Sequence, residues 1–512
     1  MIILVHNNIR IVKVFINGVE YKEYCNNRIL ITFKEVVEKY PNEIVCWCDE
    51  RVFHLLNIEE ILTSLNIENK ILSFSLSNNE FTKKIGYLDY SPFININRNV
   101  TYPTWIISNL VGCAKTSLFK CIDEKFWDIS KFDVFLISLG KHYHNQGLLS
   151  YSEPKLLKSK DIKIKNSELT VFEIVTFIKE HYKRFWLYLF VLNLLFFERK
   201  LILISLIKSF FLKTINYSKE LKIESIDLNK VEVSAENVDV IIPTIGRKIY
   251  LHQVLKDLAS QSHLPKKVII VEQNPLPETT SELNFILDEV WPFQIEHIFT
   301  HQTGACNARN VALSKCKSDW VFLNDDDNRF DQNLIEEALI TLKGYNLDVI
   351  TTTYLQEGER NGFTKMVQSE NFGSGNTFIT KKIADLVRFD MNLEFGYGED
   401  TEFGMQIRNF GFDVIYSPNL KILHLKAPMG GFRTKFVHPW ESEKVLPKPS
   451  PTIMYVRKKY HTLEQIKGFK LLLFLKYYKN QSIKNPFKYY KTMQKQWEVS
   501  EKWAEKLKSQ PK

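Results

Sequence analysis

The stretch Trp320–Asn328, W-V-F-L-N-D-D-D-N, decides how this chain is read. Trp320, Val321, Phe322 and Leu323 make a short apolar run of the kind that fills a strand of a covered sheet. The run leads straight into Asp325, Asp326 and Asp327. Three neighbouring carboxylates repel one another unless a cation sits among them, and hard divalent metals take oxygen ligands. On these residues alone a cation site and a solvated acidic loop are equally good readings.

Upstream, Val238–Ile242 is a second apolar strand, and it ends in Pro243-Thr244-Ile245-Gly246-Arg247. A helical pattern covers Ile249–Ser260, and Lys267–Val271 is a further strand closing on Glu272-Gln273-Asn274. The helix Ala305–Ser314 leads into the acidic strand. Strands alternating with helices at this spacing argue a mostly parallel, doubly wound α/β sheet. Ligands of such sheets sit outside the carboxyl ends of the strands. Pro243–Arg247, Glu272–Asn274 and Asp325–Asp327 then share one edge.

Downstream, F-G-S-G-N (372–376) precedes a strand, and G-Y-G-E-D (396–400) opens a helix running to about Asn409. Gly411–Tyr416 reads as a strand, Ser417-Pro418-Asn419 as a turn, and His424 stands between Leu423 and Leu425.

The 512 residues suffice for two or three domains, and 45% hydrophobic with 25% charged residues is an ordinary globular composition. Seven cysteines, with no C-x-x-C pair, argue against a disulfide scaffold or a zinc site and suit a reducing cytoplasm. The start M-I-I-L-V-H lacks the basic region and cleavage site of a signal peptide. The organisation expected is residues 1–165 as a first α/β domain, 166–237 as a helical segment and linker, 238–440 as the second α/β domain, and 441–512 as a tail. In 166–237 the apolar runs Phe185–Phe197 and Leu201–Leu206 are too short to span a bilayer. They read as core or inter-domain helices, with a membrane-surface role as the alternative.

The first domain echoes the second. Glu43–Asp49 (EIVCWCD) parallels Asp319–Asp325 (DWVFLND), and Asn57–Ile61 parallels Asn333–Glu337. Gly112–Lys120 is matched to Gly373–Lys381, and Asp133 through Tyr151-Ser152 to Asp400 through Tyr416-Ser417. Four matches in one order argue a repeat. The first copy keeps only Asp49-Glu50 of the acidic run and has no His after Tyr151-Ser152, so it reads as degenerate and non-catalytic.

From Val238 to His424 the chain resembles the inverting glycosyltransferases of family 2, with their GT-A fold. The matching residues are V-D-V-I-I-P-T-I-G-R (238–247), A-R-N (308–310), F-L-N-D-D-D-N (322–328), G-E-D-T-E-F (398–403) and Y-S-P-N…H (416–424). The resemblance implies a GT-A-type mixed sheet, a nucleotide-sugar donor, a divalent metal, Mn²⁺ or Mg²⁺, and a carboxylate base. The donor side would comprise Pro243, Thr244, Arg247, Glu272, Asn274, Arg309, Asp325 and Asp326; the metal ligands would be Asp325, Asp327 and His424. One departure stands out: the second strand ends in Glu272-Gln273-Asn274, where the family has an acidic pair followed by Gly-Ser.

The chemistry agrees with the residue types. A metal held by Asp325 and Asp327 neutralises a leaving diphosphate, and carboxylate with imidazole ligation suits Mn²⁺ as well as Mg²⁺. Asp400 is the candidate base for the acceptor hydroxyl, with Glu399 orienting it or binding the acceptor beside Gly375 and Asn376. The alternative for Glu399-Asp400 is an acidic pair favoured by a helix N-terminus. Arg433 and Lys435, after Gly430-Gly431, would lie on a loop over the diphosphate.

The tail carries 17 Lys and Arg against 6 Asp and Glu, a surplus larger than the +9 of the whole chain. Its mixture of aromatics and lysines at Phe469–Lys479 and Phe487–Lys491 suits an anionic membrane surface, with a packed helical appendage as the alternative. No nucleic-acid module accompanies the charge. The expected acceptor is a glycan or a lipid-linked glycan, in surface polysaccharide synthesis, met in the cytoplasm or peripherally on the inner face of the plasma membrane. A nucleotidyltransferase making the sugar nucleotide, or a non-catalytic glycan-binding scaffold, are the competing readings.

Overall fold

The computed structural model describes residues 1–65, 67–164, 168–212, 214–222, 227–427 and 436–509. It divides into two compact units, Met1–Ser225 with Tyr460–Ser482, and Ile226–Lys459 with Ile483–Lys512. Most of the helical segment 166–237 is therefore part of the first unit, and the tail is divided between the two.

In the second unit the strands are β9 (Val238–Thr244), β10 (Lys267–Gln273), β11 (Gln294–Thr300), β12 (Trp320–Asn324), β13 (Asn328–Phe330), β14 (Val349–Leu355), β15 (Val367–Gln368), β16 (Asn376–Thr380) and β17 (Ile415–His424). Their order is β11-β10-β9-β12-β16-β14-β17-β13, with β15 beside β17. Strands β11, β10, β9 and β12 run parallel; β16 is antiparallel to both β12 and β14. This is a doubly wound, mixed α/β sheet.

Alternation with period 2 explains why β9 and β12 are apolar throughout. Val238, Val240, Ile242, Trp320 and Phe322 enter the core on one face of the sheet, and Ile241, Val321 and Leu323 the core on the other. Phe322 stacks on its cross-strand partner Phe378, with centroids 4.1 Å apart. Truncating Phe322 to Ala would cost about 3–5 kcal/mol. The polar interruption at Asp239 is fully used: its carboxylate accepts from the amides of Lys317 and Ser318 and from Ser318 Oγ. That ties the loop entering β12 to β9 and holds the acidic run at the carboxyl edge.

Strand β17 departs from expectation. It continues through Ser417-Pro418-Asn419, and its register against β14 jumps between Thr352↔Ser417 and Thr353↔Lys421. Pro418, unable to donate to a ladder, sits in this irregularity instead of ending the strand. His424 thus ends a strand.

The first unit has β1 (Ile2–His6), β2 (Ile11–Ile16), β3 (Val19–Glu20), β4 (Ile44–Asp49), β5 (Lys70–Phe74), β6 (Tyr102–Pro103), β7 (Val111–Lys115) and β8 (Leu149–Ser152), ordered β3-β2-β1-β4-β7-β5-β8-β6. The path β1-β4-β7-β5-β8 repeats β9-β12-β16-β14-β17 in order and in strand direction. Antiparallel β2 stands beside β1 where parallel β10 stands beside β9. Among the described residues the first sheet has no counterpart of parallel β10 and β11.

Strand registers correct two of the expected matches. Trp47 pairs with Gly112 and its counterpart Leu323 with Thr377, so Gly112 answers to Thr377, four residues from the match to Gly373. Tyr151 likewise answers to Ile415, one residue from Tyr416. Hydrogen-bond ladders set these registers, and short Gly- and Tyr-containing similarities do not. Asp133 and Asp400 are each the second residue of their helices, Phe132–Tyr143 and Glu399–Asn409.

Of the apolar runs in 166–237, the helix Arg184–Glu198 buries Leu187, Leu189, Phe190 and Leu194. The run Leu201–Leu206, read as a core or inter-domain helix with a membrane-surface role as the alternative, lies at the start of the helix Leu203–Phe211, of which Ser209 is the one buried residue. Among the described residues no helix is long and apolar enough to cross a membrane.

Candidate active site

The carboxyl ends of β9 and β12 open into a cleft of about 390 Å³ lined by Pro243, Thr244, Arg247, Arg309, Asp325–Asp327 and His424. Gln273, Thr303–Ala305, Phe395, Lys426 and Ala427 complete it.

Two arginines serve the three carboxylates of the acidic run. Arg247 Nη1 donates to Asp326 Oδ1 (2.6 Å) and Asp327 Oδ2 (2.8 Å), and Thr244 Oγ1 donates to Asp326 Oδ2 (2.7 Å). Arg309 Nη2 donates to Asp325 Oδ1 at 2.9 Å. Burial pushes the Asp326 pKa up to about 6, although Arg247 and Thr244 oppose it. Asp327 is also buried, but His424, the Ala427 amide and Arg247 outweigh that and hold its pKa below the usual range. Asp326 therefore takes up its proton at a higher pH than Asp327 does.

His424 Nε2 lies 3.5 Å from Asp327 Oδ1. Tyr354 joins the imidazole to the third carboxylate: its ring stacks on His424 and its hydroxyl donates to Asp325 Oδ2 at 3.1 Å. Gly375 leaves the space that Asp325 occupies, since a Cβ there would come 2.0 Å from Asp325 Oδ2. Asp325, Asp327 and His424 all line this cleft, and carboxylate oxygen with imidazole nitrogen is a donor set of the type a hard or borderline divalent cation takes. As they stand, Arg247 and Arg309 occupy the carboxylates, and among the described residues no three acidic, His or Cys side chains are grouped tightly enough to hold an ion.

Gly398, at φ 103°, turns the chain so that Glu399 and Asp400 begin a helix. Asp400 Oδ1 is shielded from water and has no hydrogen-bond partner. Burial raises the Asp400 pKa to about 6, with Arg309 and Ser374 opposing and the charges of Glu399 and Asp325 adding to the rise. Arg309 is buried between two acids, and its own pKa is raised by Asp325 and Asp400 against the cost of burial. One guanidinium couples the acidic run to the helix that carries Asp400.

Other expected residues have different duties. Glu272 accepts from Ser281 Oγ, the Glu282 amide and His297 Nε2, and does not line the cleft. Asn274 caps the Leu276 amide and accepts from His301 Nδ1 through its carbonyl. Gln273 faces the cleft instead, with Oε1 accepting from the Gly304 amide at 2.6 Å. Asn376 is buried, its amide donating to Thr351 Oγ1 and the Thr352 carbonyl. Arg433 and Lys435 lie outside the described residues.

Sequence reasoning missed Tyr354, Gln273, Gly304 and Glu394. Glu394 accepts from the amides of Cys306 and Asn307, capping the helix that carries Arg309. The left-handed Gly304 (φ 136°) lets that carboxylate approach to 2.3 Å of where a Cβ would stand. The available signal was a Gly just before a helix.

In the first unit, Asp49 stands where Asp325 stands, and Arg51 grips it with Nε at 2.7 Å and Nη2 at 2.8 Å. Its neighbour His6 is buried, and burial lowers its pKa to about 4.

Residues 239–397 match the family model described as Glycosyl transferase family 2. An uncharacterized glycosyltransferase of Rickettsia bellii is 24% identical over 141 residues, covering 28% of this chain and 20% of that protein. One from Haemophilus influenzae is 22% identical over 201 residues, covering 38% of this chain and 66% of that protein. The matches span a fifth and just under two thirds of those relatives' own lengths. Among solved structures, S. aureus TarS 1-349 in complex with UDP aligns at 17% identity with a TM-score of 0.32, covering 49% of this chain and 74% of that one.

Proposed function

We propose, from the match of residues 239–397 to the family model described as Glycosyl transferase family 2, that this chain is a glycosyltransferase of that family and moves a sugar, with inversion, from a nucleotide-diphosphate donor to a hydroxyl of a glycan or lipid-linked acceptor. The observation that supports the proposal is the cleft itself: Asp325, Asp327 and His424 line it together, and Arg309, hydrogen-bonded to Asp325, is also charge-coupled to Asp400.

Asp325, Asp327 and His424 would hold a divalent cation, Mn²⁺ or Mg²⁺, whose charge neutralises the diphosphate as it leaves. Arg247 and Arg309 keep the acids from repelling one another until donor and cation enter. Each guanidinium can then turn toward a phosphate or ribose oxygen of the donor. Asp400 takes the acceptor's proton. The acceptor's hydroxyl oxygen attacks the anomeric carbon, the bond to the diphosphate breaks, and the electron pair stays on the departing phosphate. A base whose pKa lies near 6, with an unengaged oxygen, is ionised at pH 7 and still basic enough to accept that proton. With Glu272 engaged elsewhere, Gln273 is the strand-end residue placed to meet the nucleotide.

We hold the first unit to be a non-catalytic copy, because Asp49, its counterpart of Asp325 at the β4 end, is closed off by Arg51. A role in surface polysaccharide synthesis belongs to the same proposal.

The test is a panel of nucleotide sugars, scored for hydrolysis and for transfer with and without a chelator. Metal-dependent turnover of at least one donor supports the reading, and inertness toward the whole panel with Mn²⁺ or Mg²⁺ present argues against it.

A further inference from the structure

The helix Leu203–Phe211 is amphipathic the wrong way round for a soluble surface. Its inner side is anchored by polar contacts: Ser209 is fully buried, and Lys179 Nζ donates to the carbonyls of Ser209 (2.7 Å) and Leu212 (2.6 Å). Leu203, Ile204, Ile207, Phe210 and Phe211 recur at helical spacing and point outward, with Ile204 73% and Phe211 85% exposed. The preceding helix, Arg184–Glu198, adds exposed Phe185, Tyr188, Leu195 and Phe196. Apolar exposure of this extent on one element marks an interaction surface.

Charge selects the occupant. Between residues 183 and 212 the chain carries Lys183, Arg184, Arg199, Lys200 and Lys208, all exposed, against a single acid, Glu198. Glu198 is already bound to Lys84 and to Lys200. A twofold interface would press this face against its own copy and set the remaining cations, Lys183, Arg184, Arg199 and Lys208, against one another, the segment's one carboxylate being taken. An anionic headgroup layer complements it, with apolar side chains entering the acyl boundary between the bases. The tail was the expected membrane element. In its segment Leu463–Tyr478, however, Leu473 and Phe474 are buried and Leu471 and Leu472 pack on the core of the first unit.

We propose that the exposed apolar face of the helix Leu203–Phe211 docks this chain on a bilayer containing anionic lipid, with the helix lying in the interface plane. The proposal stands apart from the glycosyl-transfer reading.

The experiment is co-sedimentation of the full chain with phosphatidylglycerol-containing vesicles and with vesicles of phosphatidylcholine alone. The expected result is capture by the anionic vesicles, weakened by salt, and a loss of about tenfold or more in the double variant Ile207→Glu, Phe211→Glu. Both positions are exposed, so the variant should keep the wild-type Tm. Phe487→Glu, at an exposed position of the second unit, should bind as wild type. Undiminished binding by the double variant overturns the proposal, as does equal capture by neutral vesicles or none by either. A wild-type dimer in light scattering that the double variant dissolves, with no vesicle binding, overturns it in favour of a second copy. Donor hydrolysis by the soluble double variant reports separately on the catalytic reading.

Discussion

The Tyr354 ring lies 4.5 Å from the His424 imidazole, centroid to centroid, with 13° between the planes. The same tyrosine donates from its hydroxyl to Asp325, so one side chain orients two groups proposed to bind one cation. Orienting partners of this kind typically change metal affinity by about 10–100-fold. Tyr354→Phe keeps the stack and loses the hydrogen bond, and should weaken Mn²⁺ binding toward the lower end of that range. Tyr354→Ala removes both and should reach the upper end. Calorimetric titration of the metal in the presence of nucleoside diphosphate measures the difference.

Arg247 is predicted to matter for stability as well as for the donor. Removing it leaves Asp326 and Asp327 buried without their cation, a loss of the kind that costs about 3 kcal/mol or more. The cost should depend on pH. Asp326 titrates near pH 6, so at pH 5 it is largely neutral and needs Arg247 less. Denaturation of Arg247→Ala should therefore show a larger deficit at pH 8 than at pH 5. Equal deficits would mean that Arg247 acts through packing.

How much of this was legible beforehand depended on range. The run Trp320–Leu323 announces a strand covered on both faces, and Asp325–Asp327 announce an acidic edge, because both signals are local. Glu272 looked like a donor contact because its partners, Ser281 and His297, arrive from a loop and from the neighbouring strand β11. Tyr354 sits in T-T-T-Y-L, which carries no motif; only the bend of β17 brings His424 under its ring. The outward apolar face of Leu203–Phe211 was invisible for a related reason. Periodicity says that a helix has two faces, and tertiary packing says which one is covered.

Asp400 should set the acid limb of the rate profile. Its pKa is raised by burial to about 6, so kcat/KM should fall tenfold per pH unit below that value. Asp326 titrates in the same region, and Asp326→Asn separates the two by keeping the limb if Asp400 is responsible. The stability sign is opposite to that of a salt-bridged acid. Folding raises this pKa above its unfolded value, so the protonated form favours the fold and stability from this group grows as pH falls from about 6 toward 4. Asp400→Asn should then leave Tm at pH 8 no lower than wild type.

The first unit should tolerate loss of its acids. Asp49→Asn gives up an ion pair whose arginine is half exposed, worth about 1 kcal/mol or less. Transfer by Asp49→Asn and by Asp133→Asn should stay within about twofold of wild type, measured at saturating donor. A loss in the 10²–10⁴ range of general-base removal would make the first unit catalytic.

The account rests most heavily on the separation of roles between Asp400 and Asp327. The direct measurement compares Asp400→Asn and Asp327→Asn for donor binding and for transfer, using the nucleotide sugar found by the panel with saturating Mn²⁺. Asp400→Asn should bind the donor nearly as wild type and lose transfer by about 10²-fold or more. Asp327→Asn should lose donor and metal binding together, because it removes charge from the cation site. Near-normal transfer by Asp400→Asn, or donor binding lost equally in both variants, would contradict the account.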